Sequence, residues 1–186
     1  MAFIADPNNL VPQMTSFTSP SGTVTESSHS NIYASWGLFD RTPYPDLGLW
    51  QIYYFAPPAW FAYEFTSPKI VNKISLYPLY SNSTGRAPKT FTFDGWDGSS
   101  YSTLLTVTNY TGWDTVGETK TIWNVNNKTP YIKYRVNITA INGSGGAVDL
   151  NLDCAEFIYV PQDVPRNPSP IISPAILSTS QATRGW

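Results

Sequence analysis

The chain carries one cysteine and one histidine in 186 residues. A lone Cys154 excludes an internal disulfide and any cysteine-cluster metal site, and it reads as a small buried side chain on a strand. A lone His29 excludes multi-histidine zinc or iron centres, and with so little Cys and His most nucleophile–base dyads are missing as well. Charge is scarce too: charged residues make up 13% of the chain and the formal net charge is −2. With no basic excess and no basic stripe, the composition argues against a nucleic-acid partner. No apolar run is long enough to span a bilayer as a helix, so membrane insertion is not expected. The opening residues, Met1 to Pro7, lack the basic region and sustained apolar core of a signal peptide. If the protein leaves its cell, the expected route is as part of an assembled particle.

What the chain does have is aromatic residues, at 15%, and 16 prolines. Residues 1–20 are interrupted by Pro7, Pro12 and Pro20 and hold no period, so they read as an arm or extended lead-in. Gly22–Glu26 is a short strand candidate. From Ile32 to Trp60 the chain is aromatic and loop-like, with only a short helical turn suggested around Ala34–Phe39. The strands beyond are plainer. Phe61, Tyr63 and Phe65 share one face. In a strand Lys69–Tyr77, Ile70, Ile74 and Leu76 share a face opposed by Val71, Lys73 and Ser75. Ser102–Thr108, Thr119–Trp123 and Tyr131–Thr139 follow, and Ala147–Val160 is long enough for one bulged strand or two short ones. No stretch reads as a long amphipathic helix. The fold class is all-β, with turn signals spaced as in a sandwich. From Pro161 the composition shifts to a proline-dense, polar tail suited to an extended chain without a core. The expected organisation is an arm at 1–20, a sandwich at 21–160 and a tail at 161–186.

The stretch Arg86–Gly98 is the best-defined piece. Phe91 and Phe93 alternate with Thr90 and Thr92, and Asp97-Gly98 supplies a positive-φ hairpin turn. A polar loop, Asn82 to Gly85, delivers Arg86 beside the strand's start, as a rigid strand does for a binding residue.

A series of motifs runs through the chain in order. Met14–Ser28 comes first, then Ala34-Ser-Trp-Gly-Leu-Phe-Asp40, Trp50-Gln51, Pro58–Phe65 and Val71–Tyr77. Arg86–Gly95, Trp96-Asp-Gly98, Gly112-Trp113, Tyr131–Thr139 and Ala155–Val160 follow. This series resembles the discoidin, or coagulation-factor type C, superfamily of galactose-binding-like domains. The resemblance implies an eight-stranded jelly-roll-type β-sandwich with binding loops at one end, and many such modules are lectin-like and non-catalytic. It also implies one structural calcium, held here by Asp40 and Glu156 with nearby carbonyls. The motif after Asp40 departs from the family's pattern: Arg41-Thr42 stands there, which places a positive charge beside the site. The other reading has Asp40 bonding a turn and Glu156 pairing with Arg41.

Sugar recognition needs an aromatic face plus donors and acceptors for hydroxyls. Arg86 matches the loop that supplies an arginine in galactose-type modules, and its guanidinium could fork across two hydroxyls. His29 lies in a loop where related modules often carry a sugar-binding histidine. Trp50, Tyr53, Tyr54 and Phe55 are the stacking candidates, whereas Trp36 and Trp113 read as core. Exposed aromatics serve a protein interface as readily as a sugar. The Asn-X-Ser/Thr triplets at Asn82, Asn109, Asn127, Asn137 and Asn142 are discounted as glycosylation sites. Asp94, Asp97, Asp114 and Glu118 are the available carboxylates for glycoside hydrolysis, but none matches a catalytic signature.

These features lead us to expect a non-catalytic, carbohydrate-binding module of a virion or extracellular surface assembly. The sequence pattern suggests a phage tail or fibre protein that aids host adsorption through a cell-surface glycan. The alternative is a capsid decoration or connector protein, present in many copies, held to other virion proteins by residues 1–20 and 161–186 and binding no sugar.

Overall fold

The computed structural model describes residues 4–42, 48–78, 83–113, 119–143 and 149–162. Two sheets face each other. The larger has the order β1 (Thr23–Glu26), β3 (Ala59–Lys69), β8 (Tyr131–Ile141), β5 (Pro88–Trp96) and β6 (Tyr101–Val107). The smaller has the order β10 (Cys154–Ile158), β4 (Lys73–Tyr77) and β7 (Thr121–Asn124), and every pairing within both sheets is antiparallel. These eight strands make the expected sandwich. A two-stranded ribbon, β2 (Trp50–Ile52) with β9 (Leu150–Leu152), is added at one end.

The alternation legible in the sequence is what fills the space between the sheets. Phe61, Phe91, Phe93, Tyr134, Val136 and Ile138 from the larger sheet meet Ile74, Leu76 and Phe157 from the smaller, all fully buried. Phe93 stacks on Tyr134 with ring centroids 5.3 Å apart, and Phe39, Phe93 and Tyr134 each approach Phe157. Such ring pairs add to the area term that drives burial. Tyr134 also ties the layers together through its hydroxyl. That group donates to Lys69 O at 2.7 Å and accepts from Val71 N at 3.1 Å, while burial pushes its pKa up.

Several expectations need correction. The strand read as Lys69–Tyr77 is broken. Lys69 ends β3, paired with Tyr131, and β4 begins at Lys73; Val71 points into the core, not away from it. Within the residues read as an arm or extended lead-in, Val11 and Met14 are fully buried against the sandwich, and Leu10 N donates to Phe157 O at 2.8 Å. The apolar side chains of Val11 and Met14 are spent inside this domain, whereas Ile4 is exposed. Within the aromatic region 32–60, read without strands, Trp50–Ile52 is a strand because β9 is there to pair with it.

Other expectations hold. Ser35–Phe39 is a short 3-10 turn, Trp113 is core with Nε1 donating to Pro88 O, and the described part of the stretch read as one bulged strand or two holds two short strands, Leu150–Leu152 and Cys154–Ile158. Gly98, at φ 108°, makes the β5–β6 turn. Gly22, at φ 73°, lets Tyr63 approach so closely that a Cβ there would lie 2.2 Å from the phenol oxygen. The loop Asn82 and the tail from residue 163 lie outside the described residues.

Candidate functional site

The ribbon and the sheet ends converge on one pole of the sandwich. The pairing of Ile52 with Leu150 fixes where β2 stops and β9 starts. The residues just outside that pair, Tyr53-Tyr54 and Asp149, are therefore forced together. Tyr54 N donates to Asp149 Oδ1 at 3.3 Å. Arg86 comes to the same carboxylate from a second element, the 3-10 turn Ser83–Arg86 that leads into β5, with Nη1 3.7 Å from Asp149 Oδ2. The turn is anchored behind Arg86 by the buried Ala87, whose carbonyl accepts from Asn142 N at 3.1 Å.

A third element backs the aromatic pair. The loop after β1 is pinned to the ribbon by Ser30 N donating to Gln51 O and by Ser30 Oγ accepting from Tyr53 N, both at 2.8 Å. Asn31 Nδ2 reaches the Tyr53 hydroxyl at 3.4 Å. Tyr54 has a φ of 54°, a left-handed conformation unusual for a bulky residue, and its side chain stands out at 73% exposure. Tyr53 and Ile32 are exposed beside it.

The result is an open platform: one projecting phenol ring, one half-exposed guanidinium and one carboxylate. At 3.7 Å the Arg86–Asp149 pair is looser than a hydrogen bond, so the guanidinium N–H groups stay available to an incoming ligand. A ring face for C–H surface, a fork of donors and an acceptor together match the needs of a polyhydroxylated ring.

Of the residues singled out from sequence, Arg86, Tyr53 and Tyr54 are brought together here. Trp50 is not on the surface. It is fully buried, edge-on to Phe61 with centroids 5.3 Å apart, and its Nε1 donates to Ser28 O at 2.9 Å. It holds the loop that backs Tyr53 and cannot stack on a ligand. Phe55 is likewise packed against the core. His29 shares that loop but turns the other way: Nδ1 meets Glu26 Oε1, and its ring lies near Phe17. Glu26 Oε2 in turn accepts from Ser35 N at 2.7 Å, so the pair joins β1 to the first 3-10 turn. Asp149 and Ile32 were missed from sequence. Asp149 gains its place only through the β2–β9 register, which no local pattern announces.

The calcium ligands implied by the resemblance are committed elsewhere. Glu156 is buried, with Oε1 accepting from Asp6 N at 2.7 Å. Its Oε2 accepts from Ser75 Oγ at 2.6 Å and from the Lys120 ammonium at 2.8 Å. Asp40 Oδ1 accepts from Thr42 N at 2.8 Å, and its carboxylate lies so close to Gly48 that a Cβ there would be 2.5 Å away. Arg41, expected beside Glu156, instead donates from Nη2 to Val11 O at 2.9 Å. A calcium ion at Glu156 would meet an ammonium already on the carboxylate, so this donor set does not fit the ion. Among the described residues no group of three or more His, Cys, Asp or Glu could hold a metal.

Two of the carboxylates weighed for hydrolysis are also occupied. Asp94 is buried, paired with Arg135 Nη2 at 2.8 Å and accepting from Thr103 Oγ1 at 3.0 Å. Asp97 caps the β5–β6 turn through Ser99 and Ser100, and Asp114 and Glu118 lie outside the described residues.

No family model and no curated protein matches the sequence. Solved structures do match the fold. The chitosan-binding module 1 of a chitosanase/glucanase from Paenibacillus sp. IK-5 superposes with a TM-score of 0.59 at 18% identity, over 82% of this chain and 98% of that one. The lectin domain of lectinolysin, solved with Lewis B antigen, gives 0.59 at 14% identity over 79% and 99%. The family 32 carbohydrate-binding module of Clostridium perfringens NanJ, solved with galactose, gives 0.55 at 13% over 73% and 91%. The chain thus has the galactose-binding-like sandwich fold.

Proposed function

We propose that this domain is a non-catalytic glycan-binding module whose ligand lies against Tyr54 and is hydrogen-bonded by Arg86 and Asp149. The observation that carries the reading is the meeting of the Arg86 guanidinium and the Tyr54 backbone N–H at the Asp149 carboxylate, on a pole where the Tyr54 side chain stands exposed. The likeness in fold to modules solved with galactose and with Lewis B antigen supports it. The occupied state of Asp94 and Asp97 supports a binding role over hydrolysis.

The setting we infer is an extracellular particle such as a phage tail or fibre, present in several copies, where a surface glycan aids adsorption. Low charge and the proline-dense tail support that setting. The competing reading, a connector protein without sugar binding, draws on Ile32, Tyr53 and Tyr54, whose exposed apolar surface would also suit a protein contact. A broad glycan array separates the two. Binding by the wild type that is lost in both Arg86→Ala and Tyr54→Ala supports the glycan reading, and a blank array across many glycans rejects it.

A further inference from the structure

The opposite pole of the sandwich holds a second hollow with different chemistry. It opens where β4 begins and where β7 and β10 end. β8 spans the distance between the two poles, from Tyr131 to Ile141, which at strand rise places them roughly 30 Å apart. The hollow has a volume of about 430 Å³, within the range of ligand cavities.

Its frame is rigid. The side chain of Asn72 clamps the Val160 backbone in both directions, with Nδ2 donating to Val160 O at 2.7 Å and Oδ1 accepting from Val160 N at 2.9 Å. Asn127 is locked by Nδ2 donating to Val71 O at 3.1 Å and to the Tyr134 hydroxyl at 3.2 Å, while Oδ1 accepts from Thr129 N at 2.9 Å. Both amides are buried and held by the fold.

Around that frame stand Lys73, Lys128, Asn124, Asn126 and Gln162, and among the described residues no Asp or Glu lines the hollow. This matters in a chain with more acids than bases. Lys120 is held by Glu156 and Lys133 by Glu64, whereas neither Lys73 nor Lys128 has a carboxylate partner among the described residues. Lys69, also without one, borders a neighbouring apolar hollow lined by Ile70, Pro130 and Tyr159. Three ammonium groups without a carboxylate partner among the described residues are therefore gathered at one end.

We propose that this hollow is a second binding site, for an acidic polysaccharide whose carboxylate or sulfate groups pair with Lys73 and Lys128. Ammonium groups act as point charges suited to such anions. The carboxamides of Asn124, Asn126 and Gln162 both donate and accept, which suits the hydroxyls between the charges better than an acidic peptide, whose carboxylates need donors only. Among the described residues no aromatic ring lines the hollow, so it differs from the Tyr54 platform, and the proposal does not rest on the reading of that platform.

Affinity electrophoresis and calorimetry with polygalacturonate and chondroitin sulfate test it, with a neutral galactan and polyglutamate run beside them. The wild type is expected to bind at least one of the acidic polysaccharides at about 0.15 M salt, more weakly as salt rises. Lys73→Gln/Lys128→Gln is expected to lower that affinity by about tenfold or more. Arg86→Ala leaves it unchanged, which keeps failure here distinct from failure at the other pole. Both lysines reach solvent, and an unchanged melting midpoint confirms that the double variant is folded. Three results overturn the proposal: no binding to either acidic polysaccharide, full affinity in the folded double variant, or polyglutamate bound as tightly, which would mark general attraction to polyanions. A double variant that fails to fold is replaced by Lys128→Gln alone, expected to weaken binding severalfold; full affinity in that variant also overturns the proposal.

Discussion

Lys120 Nζ lies 2.8 Å from Glu156 Oε2, and the Glu156 side chain is 1% exposed. The same ammonium donates to Ile4 O at 3.2 Å, while Glu156 Oε1 holds Asp6 N. One ion pair therefore joins β10 to the arm that covers the outer face of the smaller sheet. Removing one partner of such a pair strands a buried charge.

Lys120→Met is accordingly expected to destabilise the domain by about 3–5 kcal/mol. Lys120→Met/Glu156→Gln, with both charges gone, should recover much of that loss. Thermal melts of the three proteins check this. Because the Lys120 ammonium already occupies the Glu156 carboxylate, calcium and chelator are expected to leave the wild-type midpoint in place. A calcium-dependent rise would show a binding site that these residues do not form.

Trp50 and Tyr54 are four residues apart and should behave oppositely. Trp50→Ala opens a cavity under the ribbon and is expected to cost about 3–5 kcal/mol. Tyr54→Ala is expected to leave stability within about 0.5 kcal/mol and to abolish glycan binding. Denaturant unfolding beside a binding assay on each variant checks the contrast.

Asp97 makes the β5–β6 turn sensitive to acid. Backbone N–H groups of Ser100 and Ser99 donate to its carboxylate and lower its pKa to about 2. A folded pKa below the unfolded one, near 3.8, means the contribution is complete above about pH 4 and is lost as pH falls toward 2. Carboxyl-detected NMR titration should show the low midpoint. Asp97→Asn should remove that part of the pH dependence of stability.

Cys154 is buried, and burial, with Asp153, Asp40 and Glu156 nearby, drives its thiol pKa well up. It is expected to resist maleimide in the folded protein and to react on unfolding. Rapid labelling under native conditions would contradict the packing around β10.

The contrast between Phe91 and Asp149 shows what could be read from the sequence and what could not. Phe91, Phe93, Tyr134 and Ile138 follow a period of two, so their strands and buried faces are legible in the residue order alone. Trp50 belongs to a three-residue strand, too short for a period, and an aromatic-rich neighbourhood gives no sign of which ring is inside. Arg86 could be named from its place in the motif before β5, and Tyr54 from an aromatic run with no strand pattern. Asp149, which links them, is 95 residues from Tyr54 and acquires its role only through the long-range pairing of β2 with β9. The lysines at the far pole were invisible for a similar reason: Lys73 and Lys128 meet only across the smaller sheet.

The central claim is that ligand sits on Tyr54 between Arg86 and Asp149. An NMR titration with a glycan identified on the array tests it most directly. The amide and side-chain signals of Tyr53, Tyr54, Arg86 and Asp149 are expected to shift together and saturably, with the Lys73–Lys128 pole unmoved. Saturable shifts confined to any other surface, or none at these four residues, would contradict it.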